Sequence, residues 1–256
     1  MQSSTPAMRI IFLNTRVWII TMFWVRLLIA QTPQQNVDPM VDAKLAAYFE
    51  SHSYLSPIEH KIAEATTSNS GRKPHELVIE KRTVQDFVVQ TRSTPINVSP
   101  LLLSVTANTG VMLMGTPLSS RPLLTKDHAF IFTTYDVRVD RIFLDTTGRI
   151  RVGDTISISR MGGNFTVNEV NVKAVDPAFD QFSINAPYIF ALNVIPGTAG
   201  FVTTPLLTYI IQNGRVTSAS KPESKFELWK PLSDFISDVE AAETYRQKVG
   251  RPSSKI

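Results

Sequence analysis

The stretch 130–144, which holds neither glycine nor proline, constrains this chain more than any other part of it. Ile131, Tyr135, Val137 and Val139 fall on one parity, as they would on one face of a strand, where successive side chains point to opposite sides. Ile142 and Leu144 fall on the other parity. A slip of one residue moves an entire apolar set from one face to the other. A β-bulge near Asp140 and Arg141 repairs that slip, and it bends the strand instead of ending it. A long strand bent in its middle belongs to a strongly curved or closed sheet.

The neighbouring segments repeat the same message. Residues 111–115 (VMLMG) form an apolar run of the buried-strand type, and Ile156 and Ile158 alternate after Val152-Gly153-Asp154. Gly162-Gly163 reads as a tight turn back into Phe165 and Val167, with Val170 and Val172 beyond. Residues 188–195 make another strand closed by Pro196-Gly197. Asn213-Gly214, between 207–212 and 215–217, suits a two-residue type I′ hairpin turn. Consecutive short strands of this kind predict a mainly β fold with flanking helices. Its centre is a small antiparallel β-barrel over 109–218, with a β-sandwich as the alternative.

Helical patterns flank this region. Asp38-Pro39 starts one, with Val41, Leu45, Tyr48 and Phe49 at helical spacing. Ser56-Pro57-Ile58-Glu59 has the form of a capping box and opens a helix to about Ala65. Residues 31–108 are therefore read as a linker and helical arm, an accessory docking surface. Within them 72–98 is ambiguous: Leu77 and Ile79 alternate, whereas Val84, Phe87 and Val88 sit at helical spacing. Ser99-Pro100 begins a further short helix. Residues 219–256 supply a last helix, with Leu232, Phe235, Ile236, Val239, Ala242 and Tyr245 on one stripe, and a basic tail.

Charge is distributed unevenly. The chain carries a net +4, and three of those charges are Arg9, Arg16 and Arg26 in the acid-free first thirty residues. The near-neutral remainder leaves no domain-wide basic footprint, so nucleic acid is not an expected partner. Arg9 and Arg16 precede a run from Val17 to Val25 that is apolar apart from Thr21, and Leu27 to Ala30 follow after Arg26, the anatomy of a signal peptide with cleavage after Ala30. The alternative is an uncleaved membrane anchor, in which Arg26 must snorkel. Both place the rest of the chain outside the cytoplasm, periplasmic or secreted, with membrane contact only through this segment.

The chain has no cysteine, which removes disulfides, thiol nucleophiles and thiolate metal sites. Gly162-Gly163 lies between strands, whereas a phosphate loop needs a helix after its glycines. Ser70-x-x-Lys73 and Ser218-x-x-Lys221 match a catalytic Ser/Lys spacing but precede Pro74 and Pro222, so both read as loops. Asp136, Arg138 and Asp140 alternate onto one strand face and read as a salt-bridged outer row. His52 and His60, with Glu50, Glu59 and Glu64 nearby, are the conceivable metal ligands of an alternative hydrolase reading. The expected catalytic, cofactor and metal sets are otherwise empty. Tyr135, Tyr188, Phe190 and Phe201 are the candidate ligand-facing aromatics.

Four stretches carry a resemblance: 111–116 (VMLMGT), 132–142 (FTTYDVRVDRI), 151–163 (RVGDTISISRMGG) and 188–198 (YIFALNVIPGT). Through them the central region resembles a group of uncharacterised secreted proteins of environmental bacteria. The order of the motifs is also similar to the oligonucleotide/oligosaccharide-binding (OB) barrel of netrin-like domains, whose cysteines this chain lacks. The resemblance implies an OB-like fold and an exported location but no site. The expected function is a non-enzymatic binding or interaction module for an envelope or extracellular protein, or a glycan.

Overall fold

In the computed structural model the bent strand is β3 (Ile131–Asp145), paired along its length with β2 (Val111–Leu124). Residues 44–45, 47–48, 57–80, 100–177, 179–204, 207–220 and 230–249 are described. Residues 1–43 with the expected cleavage position Ala30, His52, Ser56, residues 81–99 and residues 250–256 lie outside them. Among the described residues no helix is long and apolar enough to cross a membrane.

The bulge falls where the parity broke. Arg141 pairs with Met114 and Val139 with Gly115, so Asp140 is the extra residue. A second shift skips Phe143, and Leu144 consequently leaves the ring-side core for the helix-side core. Gly115 allows the bend: a Cβ there would lie 2.7 Å from Val137 Cγ1 and 2.8 Å from the Arg138 carbonyl oxygen. Only a residue without a side chain lets the two backbones approach so closely.

Strand β3 also pairs with β4 (Thr155–Met161), and β2 with β7 (Tyr188–Val194). The short β8 (Phe201–Val202) joins β7 on one side and β4 on the other. The pairings therefore run in a ring, β2-β3-β4-β8-β7, and return to β2. The β4–β8 pairing is parallel, which departs from the all-antiparallel expectation. Closure rests on the two residues of β8, so the arrangement is a ring of five strands and not a continuous barrel wall.

Residues 111–115 of β2 and 188–192 of β7 form an apolar stretch because both their faces are covered. Val111, Leu113, Tyr188, Phe190 and Leu192 face the ring interior. Met112, Ile189 and Ala191 face the other way, under α2 (Pro100–Asn108) and α3 (Leu232–Val249). There they meet Leu102 and Val105 of α2 and Phe235, Val239 and Ala242 of α3, on the stripe the sequence predicted. The hairpin β9 (Thr208–Gln212) and β10 (Arg215–Ser218) continues this sheet from β7, and β11 (Lys230–Pro231) ends it. Asn213 (φ 51) and Gly214 (φ 70) form the expected turn.

The glycine pair behaves differently from the expectation. β5 (Gly163–Val167) does not fold back onto β4. It pairs with β6 (Val170–Val175), which pairs in parallel with β1 (Glu76–Glu80), in a separate three-stranded sheet. Gly162 (φ 88) and Gly163 (φ 149) let the chain kink from one sheet into the other. Any Cβ on Gly163 would collide with Thr133 Oγ1, and one on Gly162 would come within 2.9 Å of the Ala174 carbonyl oxygen. Thr133 Oγ1 donates to the Gly162 carbonyl at 2.7 Å and fixes the kink.

Among the described helical residues ahead of this sheet, Leu45, Ile58 and Ile62 are buried against the fold. Leu45 lies among Phe130, Phe132, Ile195 and Val202. Ile58 and Ile62 of α1 (Ile58–Ser68) lie among Ile131, Val167, Val170 and Val172. Pro57 is the N-cap residue and has no N–H to donate to a carboxylate, so Glu59 does not close the expected capping box. Its carboxylate pairs instead with His128.

Candidate functional site

The four aromatics singled out from sequence are brought together, but as core. Tyr135, Tyr188, Phe190 and Phe201 are buried in the ring interior. Phe182, from the 176–187 connection between β6 and β7, sits among them. Its ring centroid is 4.7 Å from that of Tyr135, 5.1 Å from Tyr188 and 5.2 Å from Phe190. The Ser183 N–H donates to the Tyr188 hydroxyl at 2.8 Å. The Tyr135 hydroxyl is hydrogen-bonded to the Phe182 backbone, and burial raises its pKa. Both tyrosine handles are thus used to seat the protein's own loop.

Arg160 of β4 is the anchor of that loop, and sequence reasoning missed it. The side chain is 2% exposed. Its guanidinium donates to the carbonyls of Met161 (3.1 Å), Phe179 (2.7 Å) and Asp180. It also stacks 3.9 Å from the Phe179 ring centroid. Burial pulls its pKa down, against the opposing fields of Tyr135, Asp176 and Asp180. The planar fork can satisfy several carbonyls at once, which an ammonium cannot do in that geometry. An arginine at strand spacing reads as a surface residue, so no sequence signal distinguished it.

The other candidates are placed as follows. Thr116 Oγ1 donates to Asp140 at 2.6 Å, Arg138 Nε to Asp140 at 2.9 Å and Ser119 Oγ to Asp136 at 2.7 Å, an internally paired outer row as expected. Ser70 is in a turn (φ 55), and Lys73 reaches the Asn168 carbonyl at 3.5 Å. Ser218 is on β10, and its partner Lys221 lies outside the described residues. His60 is exposed on α1 and His75 is exposed before β1. Among the described residues no group of three His, Cys, Asp or Glu side chains could hold a metal ion.

One surface element stands apart, the 146–154 connection from β3 to β4. Its first half is shaped by Asp145, whose carboxylate accepts from Thr147 N (2.8 Å) and Oγ1 (2.6 Å), Gly148 N (3.1 Å) and Ile150 N (3.0 Å). Burial alone would raise the Asp145 pKa, but these bonds outweigh it and hold the carboxyl below its ordinary range. Its second half is clamped to β3, with Gly153 N donating to Val139 O and Val139 N to Asp154 O, both at 2.8 Å. Asp154 also accepts from Arg151 N at 2.8 Å.

Ile150 is sunk into the ring core, so Arg149 and Arg151 on either side of it are turned outward. Both are exposed, and neither guanidinium has a hydrogen-bond or ion-pair partner among the described residues. Val152 beside them is 64% exposed, more than any other large apolar side chain described. The carboxylates nearest in sequence are committed to backbone N–H groups. The loop therefore presents two free cations and an apolar tip on a preorganised frame. Its sequence signal is the Arg149-Ile150-Arg151-Val152 alternation ahead of Gly153.

No family model matches this chain, and no curated protein matches it.

Proposed function

We propose that the chain is an exported, non-enzymatic interaction module whose 146–154 loop contacts an acidic surface of a protein partner. The observation that carries this reading is the loop itself: Arg149 and Arg151 unpaired beside an exposed Val152, on a backbone fixed by Asp145 and Ile150. Guanidinium forks match carboxylates bidentately, and a frame already ordered loses little entropy on binding. The ring interior is filled by Phe182 and its aromatic neighbours, so a partner meets the outer surface.

The strand order supports the same choice by fold-level analogy. The order β2-β3-β4-β8-β7 with β4 parallel to β8 corresponds to the OB barrel, where the loops after the first and fourth strands contact ligands. In this chain those loops are tied to its own helices. The Ile58 N–H donates to the His128 carbonyl at 2.8 Å, and Lys44 Nζ donates to the Gly197 carbonyl at 2.8 Å. The 146–154 loop remains available. The apolar leader ending at Ala30 supports export.

Exposed ion pairs are each worth about 0–1 kcal/mol, so the contact is transient and salt-sensitive. The test is capture from an envelope extract on the immobilised chain and on R149E/R151E, at low and high salt. One recurring acidic protein, lost with the double variant and with salt, is the expected result. The same protein retained by R149E/R151E overturns the reading, and a polysaccharide retained in its place reassigns the partner class.

A further inference from the structure

The β9–β10 turn holds a chemistry that the interaction reading does not use. Asn213-Gly214 is the only Asn-Gly pair in the chain. Gln212, Asn213, Gly214 and Arg215 are all exposed. A Cβ placed on Gly214 would meet nothing within 4 Å, so the approach to its backbone nitrogen is open. The Gly214 N–H donates to no group among the described residues, because in a two-residue turn the ladder bonds belong to the flanking pair, Gln212 and Arg215. An asparagine carboxamide thus stands next to an unhindered, unbonded backbone amide.

We propose that Asn213 is a self-modification site, the place where this chain deamidates in its folded state. The Gly214 nitrogen, losing its proton to solvent base, attacks Asn213 Cγ. A bond forms between that nitrogen and Cγ, the Cγ–Nδ2 bond breaks, and Nδ2 leaves as ammonia with the proton returned from solvent. The product is a five-membered succinimide. Water then opens it at Cγ to give aspartate, or at the backbone carbonyl carbon to give isoaspartate. No oxidation or reduction occurs.

The molecule supplies its own controls. Asn168 (φ 48) and Asn185 (φ 64) share the left-handed backbone of Asn213 (φ 51). Asn185 is followed by Ala186, whose N–H is engaged to the Ser183 carbonyl at 3.3 Å, and Asn168 is followed by Glu169 with a full side chain. The backbone conformation is common to all three, and the free glycine amide is not.

Isoaspartate at 213 adds an atom to the backbone of a two-residue turn, where register is set by turn length. It also displaces the Gly214 carbonyl, which accepts from the Leu232 N–H at 2.9 Å at the start of α3. Tyr209 and Val216, which flank the turn on β9 and β10, lie in the core beneath that helix. Conversion therefore loosens the hairpin and the helix together.

The experiment is a time course of the full chain at mildly alkaline pH, read by peptide mass spectrometry with enzymatic labelling of isoaspartate. Beside it run the denatured chain and Asn213→Gly, which keeps a turn-competent pair. The expected result is amide loss at Asn213 ahead of Asn168 and Asn185 in the folded chain, with a falling Tm that the Asn213→Gly variant does not show. Conversion at Asn213 in the denatured chain alone, or equal rates at the three sites, overturns the proposal.

Discussion

Two loops meet the ring of strands, and they use their side chains in opposite ways. The 176–187 loop sends Phe179 and Phe182 inward and is held by a buried arginine. The 146–154 loop sends only Ile150 inward and turns Arg149, Arg151 and Val152 to solvent. Both are well hydrogen-bonded, so order alone does not separate structure from recognition. The separating feature is where the unspent interactions are. In the first loop the aromatic faces, the tyrosine hydroxyls and the guanidinium are consumed internally. In the second the acids are consumed by the backbone and the cations are left over.

The comparison predicts a descending series of stability losses. Phe182→Ala removes the ring around which Tyr135, Tyr188 and Phe190 are arranged, and it is expected to cost about 3–5 kcal/mol in denaturant unfolding. A loss near that of a surface substitution would mean that the interior is not built on this loop. Arg160→Met keeps much of the bulk but leaves the carbonyls of Phe179 and Asp180 without their donor. Its expected cost is about 2–3 kcal/mol, the penalty for stranding buried polar groups.

Asp145→Ala tests the frame of the second loop. The expected loss is about 1 kcal/mol, in the range of a helix-capping carboxylate, with faster hydrogen exchange at Thr147, Gly148 and Ile150. The pH dependence follows from the lowered pKa. A carboxyl whose folded pKa is depressed contributes its full stability above the unfolded value and loses it as pH falls through the folded one. The gap between wild type and Asp145→Ala must therefore narrow in acid. A gap that widens there would remove Asp145 as the loop's anchor.

R149E/R151E is the smallest expected effect on stability, within about 0.5 kcal/mol, because both side chains are exposed and unpaired. A large loss would reclassify the loop as structural and erase its contrast with 176–187.

What the sequence revealed follows from what kind of signal each element carries. The bulge at Asp140, the Asn213-Gly214 hairpin and the α3 stripe all rest on period or turn chemistry, which is local. The Gly162-Gly163 kink was misread because glycines that switch sheets and glycines that turn back require the same positive φ. The parallel β1–β6 pairing joins segments far apart in sequence and leaves no local trace. Phe179 and Phe182 lie in a segment without periodicity, so their place in the core was not legible, nor was the burial of Arg160. Tyr135, Tyr188, Phe190 and Phe201, named as candidate ligand-facing aromatics, share one buried cluster. Parity does not report what fills the space between the rings.

The most direct test of the contrast is site-specific photo-crosslinking in cells, with a photoreactive residue at position 152 and, as reference, at the exposed apolar position 78 on β1. The account predicts one recurring protein adduct from position 152, abolished by R149E/R151E and absent from position 78. Identical adducts from both positions, or an adduct at 152 that survives the charge reversal, would contradict it.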